Sequence, residues 1–254
     1  LDDDDLARAV RALARSRVSA VAVCFLFSHL NPAHEQEAAR AVARALPGIP
    51  VSLSHRLDPS LREYERTVAT LLDAWLRASG LGGMVKLSDA MTEAGFSGRW
   101  LFGDRRGLLV EAEALQRDPL CTVGAGGAAA ARLAALAGGQ AGVAIDVGSH
   151  SADLSLFRDG APVLAERDVL AGIGWPQVAI DMHSLALGGA SRARVNEAMV
   201  QFVVDDPDAT TLDDALARIG RMPLRQSDCG DRARQPVTEP SSATAARIVA
   251  AAEA

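Results

Sequence analysis

Apolar positions in the first 53 residues switch between helical and strand spacing. Leu6, Val10 and Leu13 recur at helical intervals, and Asp5 is placed to cap that helix. Residues 18–27 form a continuous apolar run, which predicts a buried strand. A second helix is predicted to begin at Asn31 and Pro32 and to bury Ala38, Val42 and Leu46. With a short strand at 49–53, the order α-β-α-β predicts a mixed α/β layer.

A longer helix is predicted to open at Asp58 and Pro59. Its large apolar residues recur at helical spacing, so we expect them in the core rather than in a ligand-binding site. They are Leu61, Tyr64, Val68, Leu71 and Trp75.

Further helices are predicted over residues 85–94, ending at Gly95, and over residues 122–137. Between them, residues 99–102 and 107–110 predict two strands around a charged turn.

The most informative segment is a predicted hairpin around residues 145–153, followed by a turn at 158–160. Its bend is rich in Gly and Ser and is flanked by Asp146 and Asp153. Backbone N–H groups in such a bend can face a phosphate, and the flanking carboxylates can hold a hydrated metal ion. The bend is therefore the main candidate site; a pair of carboxylates that only cap the turn is the alternative.

The pattern changes after Arg192. Residues 205–208 predict a loop, and Thr211 with Asp214 resembles a capping box for a short helix that ends at Gly220. Residues 221–243 are polar and aperiodic, which is typical of a linker, and residues 243–254 predict a terminal helix.

Composition restricts the function classes. The chain has 254 residues, of which 49% are hydrophobic and 23% charged, and this is typical of one large or two modest globular domains. A formal charge of −6 argues against nucleic-acid binding. The run at 18–27 is about half as long as a membrane span, so no membrane partner is predicted.

Cysteine usage favours a reducing, cytoplasmic location. Three cysteines lie far apart without a C-x-x-C pair, and Cys24 in its apolar run is expected to be a buried thiol. The chain opens on Leu1 followed by four Asp, which we interpret as a segment of a longer protein.

Several blocks, in order, resemble the hydantoinase A / 5-oxoprolinase family, which includes acetone carboxylase β-type subunits. They are residues 21–35 (with Ser-His-Leu-Asn-Pro-Ala-His-Glu), 62–66 (Arg-Glu-Tyr-Glu-Arg), 145–160 and 181–191. The resemblance covers roughly residues 6–191.

The resemblance implies an α/β, actin-like ATPase fold of the sugar kinase and Hsp70 type, with a mixed sheet flanked by helices. It is incomplete here, because the family's first phosphate hairpin would precede Leu1. It also implies ATP and Mg²⁺ as cofactors, a cyclic amide such as a hydantoin or 5-oxoproline as substrate, and a hydantoinase B-like companion subunit.

By the same resemblance, Asp146 and Asp153 are the candidate catalytic carboxylates, with Asp146 the metal ligand. Gly148, Ser149, Ser151, Gly188 and Gly189 are the candidate nucleotide-binding residues.

The chain departs from the family pattern at four glycine-dependent places. Ser149 replaces a glycine in the bend and is followed by His150, so we expect a Cβ where φ could be positive. The other departures are at residues 105–106 (two Arg), 124–127 and 186–191. They predict a truncated or degenerate copy; a noncatalytic subunit of a hydantoinase- or carboxylase-type complex is the alternative.

Two further groups have a structural and a functional interpretation. His29, His34 and His183 could form a metal site, but scattered histidines are more often surface groups. Arg62 and Arg66 could contact a substrate or subunit, but a solvated helix face with local ion pairs is favoured. The expected regions are residues 1–80, 81–192 and a poorly matching, partly disordered tail, 193–254.

Overall fold

The computed structural model describes residues 1–58, 61–79, 87, 90–170, 173–196, 199–204, 206, 208–221 and 241–253. The chain divides into two compact units. The first unit comprises Leu1–Gly142 and Leu156–Asp181, and the second unit comprises Val143–Ser155 and Met182–Ala254.

The helices, numbered in chain order, are α1 (Asp3–Ser16), α2 (Ala33–Ala45), α3 (Ser54–Leu57), α4 (Glu63–Ser79), α5 (Ala112–Arg117), α6 (Ala125–Ala137), α7 (Leu212–Arg218) and α8 (Ser242–Glu253), with a 3₁₀ turn at Pro119–Thr122. The strands are β1 (Val21–Val23), β2 (Val51–Leu53), β3 (Leu101–Gly103), β4 (Leu109–Glu111), β5 (Ala141–Val147), β6 (Ala152–Arg158), β7 (Ala161–Pro162), β8 (Leu164–Ala165), β9 (Asp168–Leu170), β10 (Ile173–Trp175), β11 (Ala179–Ile180), β12 (Met182–Leu185), β13 (Arg192–Val195), β14 (Val200–Val203) and β15 (Thr210–Thr211). No described helix is long and apolar enough to cross a bilayer.

The predicted α-β-α-β order at the start of the chain is confirmed. Strands β1 and β2 pair in parallel, with Val21 opposite Val51. The predicted face of α2 packs against them, because Ala38 and Val42 are buried and Leu46 lies against the same cluster. The cap of α1 is Asp2 rather than Asp5, since the Asp2 side chain accepts a hydrogen bond from the Asp5 N–H.

The strand predicted over residues 18–27 is shorter than expected and ends at Val23. Side chains rather than a neighbouring strand satisfy the backbone that follows. The Phe25 N–H donates to Glu35 Oε1 at 2.9 Å, and the Phe25 carbonyl accepts from Arg66 Nη2 at 3.0 Å. The chain therefore leaves the sheet there.

Helix α4 presents the opposite face to the core from the one predicted. Leu61 before the helix and Tyr64, Leu71 and Trp75 on it are all more than half exposed. The buried face carries Arg66, Ala69, Thr70, Asp73 and Ala74. Small alanines let the helix approach closely, and the charged groups have partners, since Arg77 Nε donates to Asp73 at 2.7 Å and Ser52 Oγ also donates to Asp73.

The prediction that Arg66 lies on a solvated helix face is therefore wrong, because Arg66 is fully buried. Arg62 remains exposed and pairs with Glu65 at 3.4 Å. The helix begins at Glu63 rather than at Asp58, which ends α3. Pro59 lies outside the described residues.

The predicted central strands are confirmed. Strands β3 and β4 pair antiparallel around the charged turn. Strands β5 and β6 form the hairpin in a sheet of order β12-β6-β5, with β7 also on β6. Asp159 and Gly160 take φ of 53° and 70°, as expected for the tight turn between β6 and β7. Of the helix predicted over 85–94, the described residues 90–93 are helical, and Gly95 follows with φ 88°.

The second unit has its own small core. Strand β13 pairs with β14 and β15, and α7 and α8 supply Ala215, Ala245 and Ile248 to a buried cluster. The predicted capping box is confirmed, because Thr211 Oγ1 accepts from the Asp214 N–H. Helix α8 confirms the predicted terminal helix, whereas residues 222–240 of the predicted linker lie outside the described residues.

Candidate functional site

The bend between β5 and β6 places two aspartates opposite each other. The Gly148 N–H donates to Ser151 O at 2.8 Å at one end of the hairpin, and the Asp159 N–H donates to Gln140 O at the other. Uniform pairing between these bonds puts Asp146 directly across from Asp153. Facing residues of an antiparallel pair have Cβ atoms about 5 Å apart.

One carboxylate oxygen at this position has no partner. Ser151 Oγ lies 3.3 Å from Asp153 Oδ2, whereas Asp153 Oδ1 is buried and makes no hydrogen bond to any described residue. Two facing carboxylates repel each other unless a cation or a proton lies between them. The donor set therefore fits a magnesium ion, which favours one or two carboxylates together with phosphate and water oxygens.

The loop that follows β12 packs directly on the bend. The Gly189 N–H donates to Gly148 O at 3.1 Å, and the Ala190 N–H donates to Ser149 O at 2.7 Å. A Cβ on Gly188 would lie only 2.5 Å from Gly148 O and 2.7 Å from His150 N. Only glycine fits at position 188, so the structure brings Gly188 and Gly189 to the predicted bend.

Asp213 is a member of this cluster that sequence reasoning missed. It lies in the first turn of α7, its N–H donates to Gly189 O at 2.8 Å, and its carboxylate occupies the space that a Cβ on Gly189 would need. The capping box predicted where α7 begins. The contact of Asp213 with Gly189, about 24 residues earlier in the chain, had no signal in the local sequence pattern.

The expectation of positive φ at Ser149 is wrong. Among the described non-glycine residues, only Arg17, Phe27 and Asp159 have positive φ. Gly148 also has a negative φ, and a Cβ there would meet Ser151 O at an ordinary 3.5 Å. The substitution of glycine by Ser149 therefore adds no backbone strain to the bend.

The tip of the bend has free donors. The N–H groups of Ser149 and His150 make no hydrogen bond to another described residue, and both side chains are exposed. Ser149 Oγ and His150 Nδ1 are 2.8 Å apart. Unpaired N–H groups at a bend provide the kind of contact that phosphate oxygens accept.

A cavity of about 620 Å³ adjoins the tip within the second unit. His150, Ala190 and Ser191 line one part of it, and Phe202 and Asp206 line another. A hydrogen bond from Arg194 lowers the pKa of Asp206, which keeps that carboxylate ionised. The cavity has the size of a small-molecule site, with apolar and polar groups on its walls.

The three candidate metal-binding histidines lie on separate elements. His29 follows β1, His34 lies in the first turn of α2, and His183 lies in β12. Across the described ranges, no group of three or more His, Cys, Asp or Glu side chains is arranged to hold a metal ion.

Arg105, the first of the two arginines at positions 105 and 106, makes structural contacts within the first unit. Arg105 is buried, donates from Nη1 to Asp168 at 2.9 Å and lies over the Trp175 ring at 5.4 Å. Burial lowers the pKa of Arg105 and raises that of Asp168. Gly124, from the altered glycine segment, precedes α6 with φ 72°.

Two family models match the chain. Hydantoinase/oxoprolinase matches residues 66–229, and the hydantoinase/oxoprolinase N-terminal region matches residues 1–46. The first match runs well past residue 191, where the recognised blocks end.

Individual proteins of known name are also similar to this chain over most of its length. Caprolactamase subunit alpha of Pseudomonas jessenii is 28% identical over 204 residues, covering 78% of this chain and 29% of that protein. The acetophenone carboxylase gamma subunit of Aromatoleum aromaticum is 25% identical over 284 residues, covering 94% of this chain and 37% of that protein. The chain thus spans about a third of the length of these relatives.

A similar fold is found in the nucleotide-free structure of acetone carboxylase, an enzyme of ATP-dependent acetone carboxylation. The TM-score is 0.77 at 20% identity, over 87% of this chain and 34% of that one. The predicted fold, mixed α/β of the actin-like ATPase type, is confirmed. Because one family model alone spans more than half of the chain, this chain belongs to the hydantoinase/oxoprolinase family.

Proposed function

We propose that this chain carries the phosphate-binding hairpin of an ATP-dependent enzyme of the hydantoinase/oxoprolinase type, acting on a cyclic amide. Proteins similar to this chain support this class, since one is a caprolactamase subunit and another is an acetone carboxylase that carries out ATP-dependent carboxylation. Bound ATP would supply a phosphoryl group that activates an amide oxygen for cleavage.

The observation that carries the proposal is the pair of facing carboxylates with one buried, unpartnered oxygen. Asp146 and Asp153 would hold Mg²⁺, with Asp153 Oδ1 the oxygen that now lacks a partner. Gly148, Ser149 and Ser151 would present the bend to the phosphates through backbone N–H and hydroxyl groups. Gly188 and Gly189 would keep the bend in shape by packing against its backbone.

The altered bend does not argue against binding. Ser149 keeps an ordinary backbone conformation, so the N–H groups at the tip stay available. His150 is exposed beside the cavity, where it can donate to a phosphate oxygen rather than fill the site.

The direct test is thermal unfolding of the full chain with and without Mg-ATP. Ligand at a hundredfold excess over Kd stabilises the folded state by about 2.7 kcal/mol, which raises Tm by several degrees. We expect Asp153→Asn to abolish most of this shift and Asp146→Asn to weaken it. Asp159→Asn, in the exposed turn after β6, is the matched control because Asn also accepts its positive φ.

Two outcomes would contradict the proposal. One is the absence of a Tm shift in millimolar Mg-ATP. The other is an equal shift in the Asp146→Asn, Asp153→Asn double variant, which would place any nucleotide elsewhere.

A noncatalytic subunit is the second candidate, and the exposed face of α4 favours it. Tyr64, Leu71 and Trp75 are 72%, 56% and 58% exposed, and exposed patches of large apolar residues are typical of protein–protein interaction sites. The Mg-ATP titration separates the two functions, because a purely structural subunit would show no magnesium-dependent shift.

A further inference from the structure

Strand β5 lies at one edge of its sheet. In the strand order β12-β6-β5 it has β6 on one side, and no described strand pairs with its other side. The backbone bonds at the two ends of the hairpin are made by Gly148 and Gln140, so the even-numbered residues of β5 face β6. The backbone groups that point the other way, and that bond to no described residue, belong to Ala141, Val143, Ile145 and Val147.

This edge lacks the residues that usually keep sheet edges from pairing. Proteins protect edge strands with charged side chains, above all lysine, or with proline. Residues 141–147 read Ala-Gly-Val-Ala-Ile-Asp-Val, with one charge and no proline. Val143, Ile145 and Val147 are each more than half exposed, and they share a face because alternate residues of a strand point to the same side. An apolar edge of this kind is a surface to which another strand can be added.

The sequence of β5 is complementary to itself in one antiparallel register. A two-fold axis at Ala144 would pair Val143 with the partner's Ile145, and Ala141 with the partner's Val147. All four outward-facing residues would then exchange backbone hydrogen bonds, and every one of these pairs is apolar. Any other centre leaves at least one of the four beyond the end of the partner strand.

The small residues and the single charge of β5 suit the same register. Ala144 would face its own copy across the axis, where the Cα atoms of a non-hydrogen-bonded pair are only about 4.5 Å apart. Asp146 would face the partner's Gly142, so its carboxylate meets neither a charge nor a side chain. An axis at Asp146 would instead place two carboxylates opposite each other, which is destabilising. The charge and size pattern therefore favours the axis at Ala144.

We propose that β5 is a dimer interface, at which two copies of this chain join their sheets edge to edge through antiparallel strands centred on Ala144. The combined sheet would have the order β12-β6-β5-β5-β6-β12. The occupant is a second copy because the apolar, small and charged positions of β5 match themselves under a two-fold axis. The interface is independent of the proposed nucleotide site, since it uses the side of β5 that faces away from β6.

Sedimentation equilibrium of the full chain, without nucleotide, tests the proposal. Over concentrations from about 1 to about 200 µM, we expect the mass to rise from 26.5 kDa towards twice that value, as suits an interface of small area. The mass should not rise further, because a two-fold contact uses the same edge on both copies and closes at two.

Ile145→Lys is the disrupting variant. It places a charge opposite the partner's Val143 and should raise the dissociation constant of the dimer by about tenfold or more. The matched control is Leu133→Lys, which adds the same charge at an exposed apolar position on α6 and should leave the dissociation constant unchanged.

A double variant, Val143→Glu with Ile145→Lys, tests the register. With the axis at Ala144 the two introduced charges form opposite pairs across the interface, whereas an axis at residue 143 or 145 would bring like charges together. We expect a dissociation constant within about threefold of that of the unmodified chain. Its recovery would also show that the loss in Ile145→Lys is not a failure to fold.

Four results would overturn the proposal. The unmodified chain could keep a mass of 26.5 kDa at the highest concentration, or it could form species larger than a dimer. Ile145→Lys could dimerise as well as the unmodified chain. Finally, the double variant could be folded by circular dichroism and yet be monomeric. None of these results would change the Mg-ATP shift expected at the hairpin.

Discussion

Single residues of the hairpin cluster are constrained by contact distance rather than by backbone conformation. Neither Gly148 nor Gly188 has a positive φ, so both conformations are open to any residue. A Cβ would nevertheless be tolerated at 148 and would collide with three backbone atoms at 188. Backbone atoms cannot rotate away as a side chain can, so the collision has to be relieved by moving the loop.

This contrast predicts the effects of two alanine substitutions. Gly188→Ala should destabilise the fold by about 1–3 kcal/mol, since it overpacks the contact with the bend. Gly148→Ala should change stability by less than about 0.5 kcal/mol. Urea denaturation of the two variants measures both values, and equal effects would show that the loop does not pack on the bend as described.

Cys121 is expected to be an unreactive thiol. Burial, followed by the nearby charge of Asp118, raises its pKa from 9.0 to about 11. At pH 8 only about one thiol in a thousand would be ionised, compared with about one in ten when unfolded. Mass spectrometry of iodoacetamide labelling should therefore show Cys121 reacting about a hundredfold more slowly in the native than in the urea-unfolded chain. Comparable native and unfolded rates would exclude the raised pKa.

At the scale of elements, α4 shows how a periodic pattern can indicate a helix and yet not its buried face. The chain offers two stripes at helical spacing, one of large apolar residues and one of small and charged residues. The second stripe packs in the first unit, where Ala69 is 2% exposed beside Leu120 and Trp175. The large apolar stripe is left on the surface.

A pair of substitutions on α4 checks this orientation. Leu71→Gln, at a position 56% exposed, should alter the free energy of unfolding by no more than about 0.5 kcal/mol. Ala69→Gln should cost about 2 kcal/mol or more, because it adds volume and an amide to a filled contact. Chemical denaturation that found Leu71→Gln the more damaging variant would restore the original expectation.

At the scale of the whole molecule, the polar groups of interest lie in two different units of the chain. The second unit holds the bend between β5 and β6, the glycine loop and the cavity beside the bend, and the first unit holds the buried Glu35 carboxylate with its hydrogen-bond donors. The chain spans about a third of the length of these relatives.

Acid unfolding of the chain should reflect Glu35. Its folded pKa lies below the ordinary 4.5, so the unfolded state binds more protons in acid. The stabilisation is complete above pH 4.5 and is lost as pH falls through the lower folded value. Urea unfolding between pH 6 and 3 should therefore show a steeper loss for the wild type than for Glu35→Gln, which has no proton to bind. Parallel curves would rule out a depressed pKa.

Much of the fold was predictable because its signals are local. The Asp159-Gly160 turn, the Thr211 cap and the buried face of α2 each depend on residues within one or two turns of one another. The blocks around residues 21–35 and 145–160 identified the family for the same reason, since a motif keeps its residues together in the chain.

Contacts between residues far apart in the chain were decided only by the tertiary structure. Examples are the early end of β1, where Glu35 and Arg66 take over the backbone of Phe25, and the packing of Gly188 on the bend. The pairing of Glu35 with His55 is another. The sequence by itself determined the elements, the family and the candidate bend. Which helix face is buried, and which polar groups meet, depended on close packing between distant segments, and periodicity along the chain does not encode such contacts.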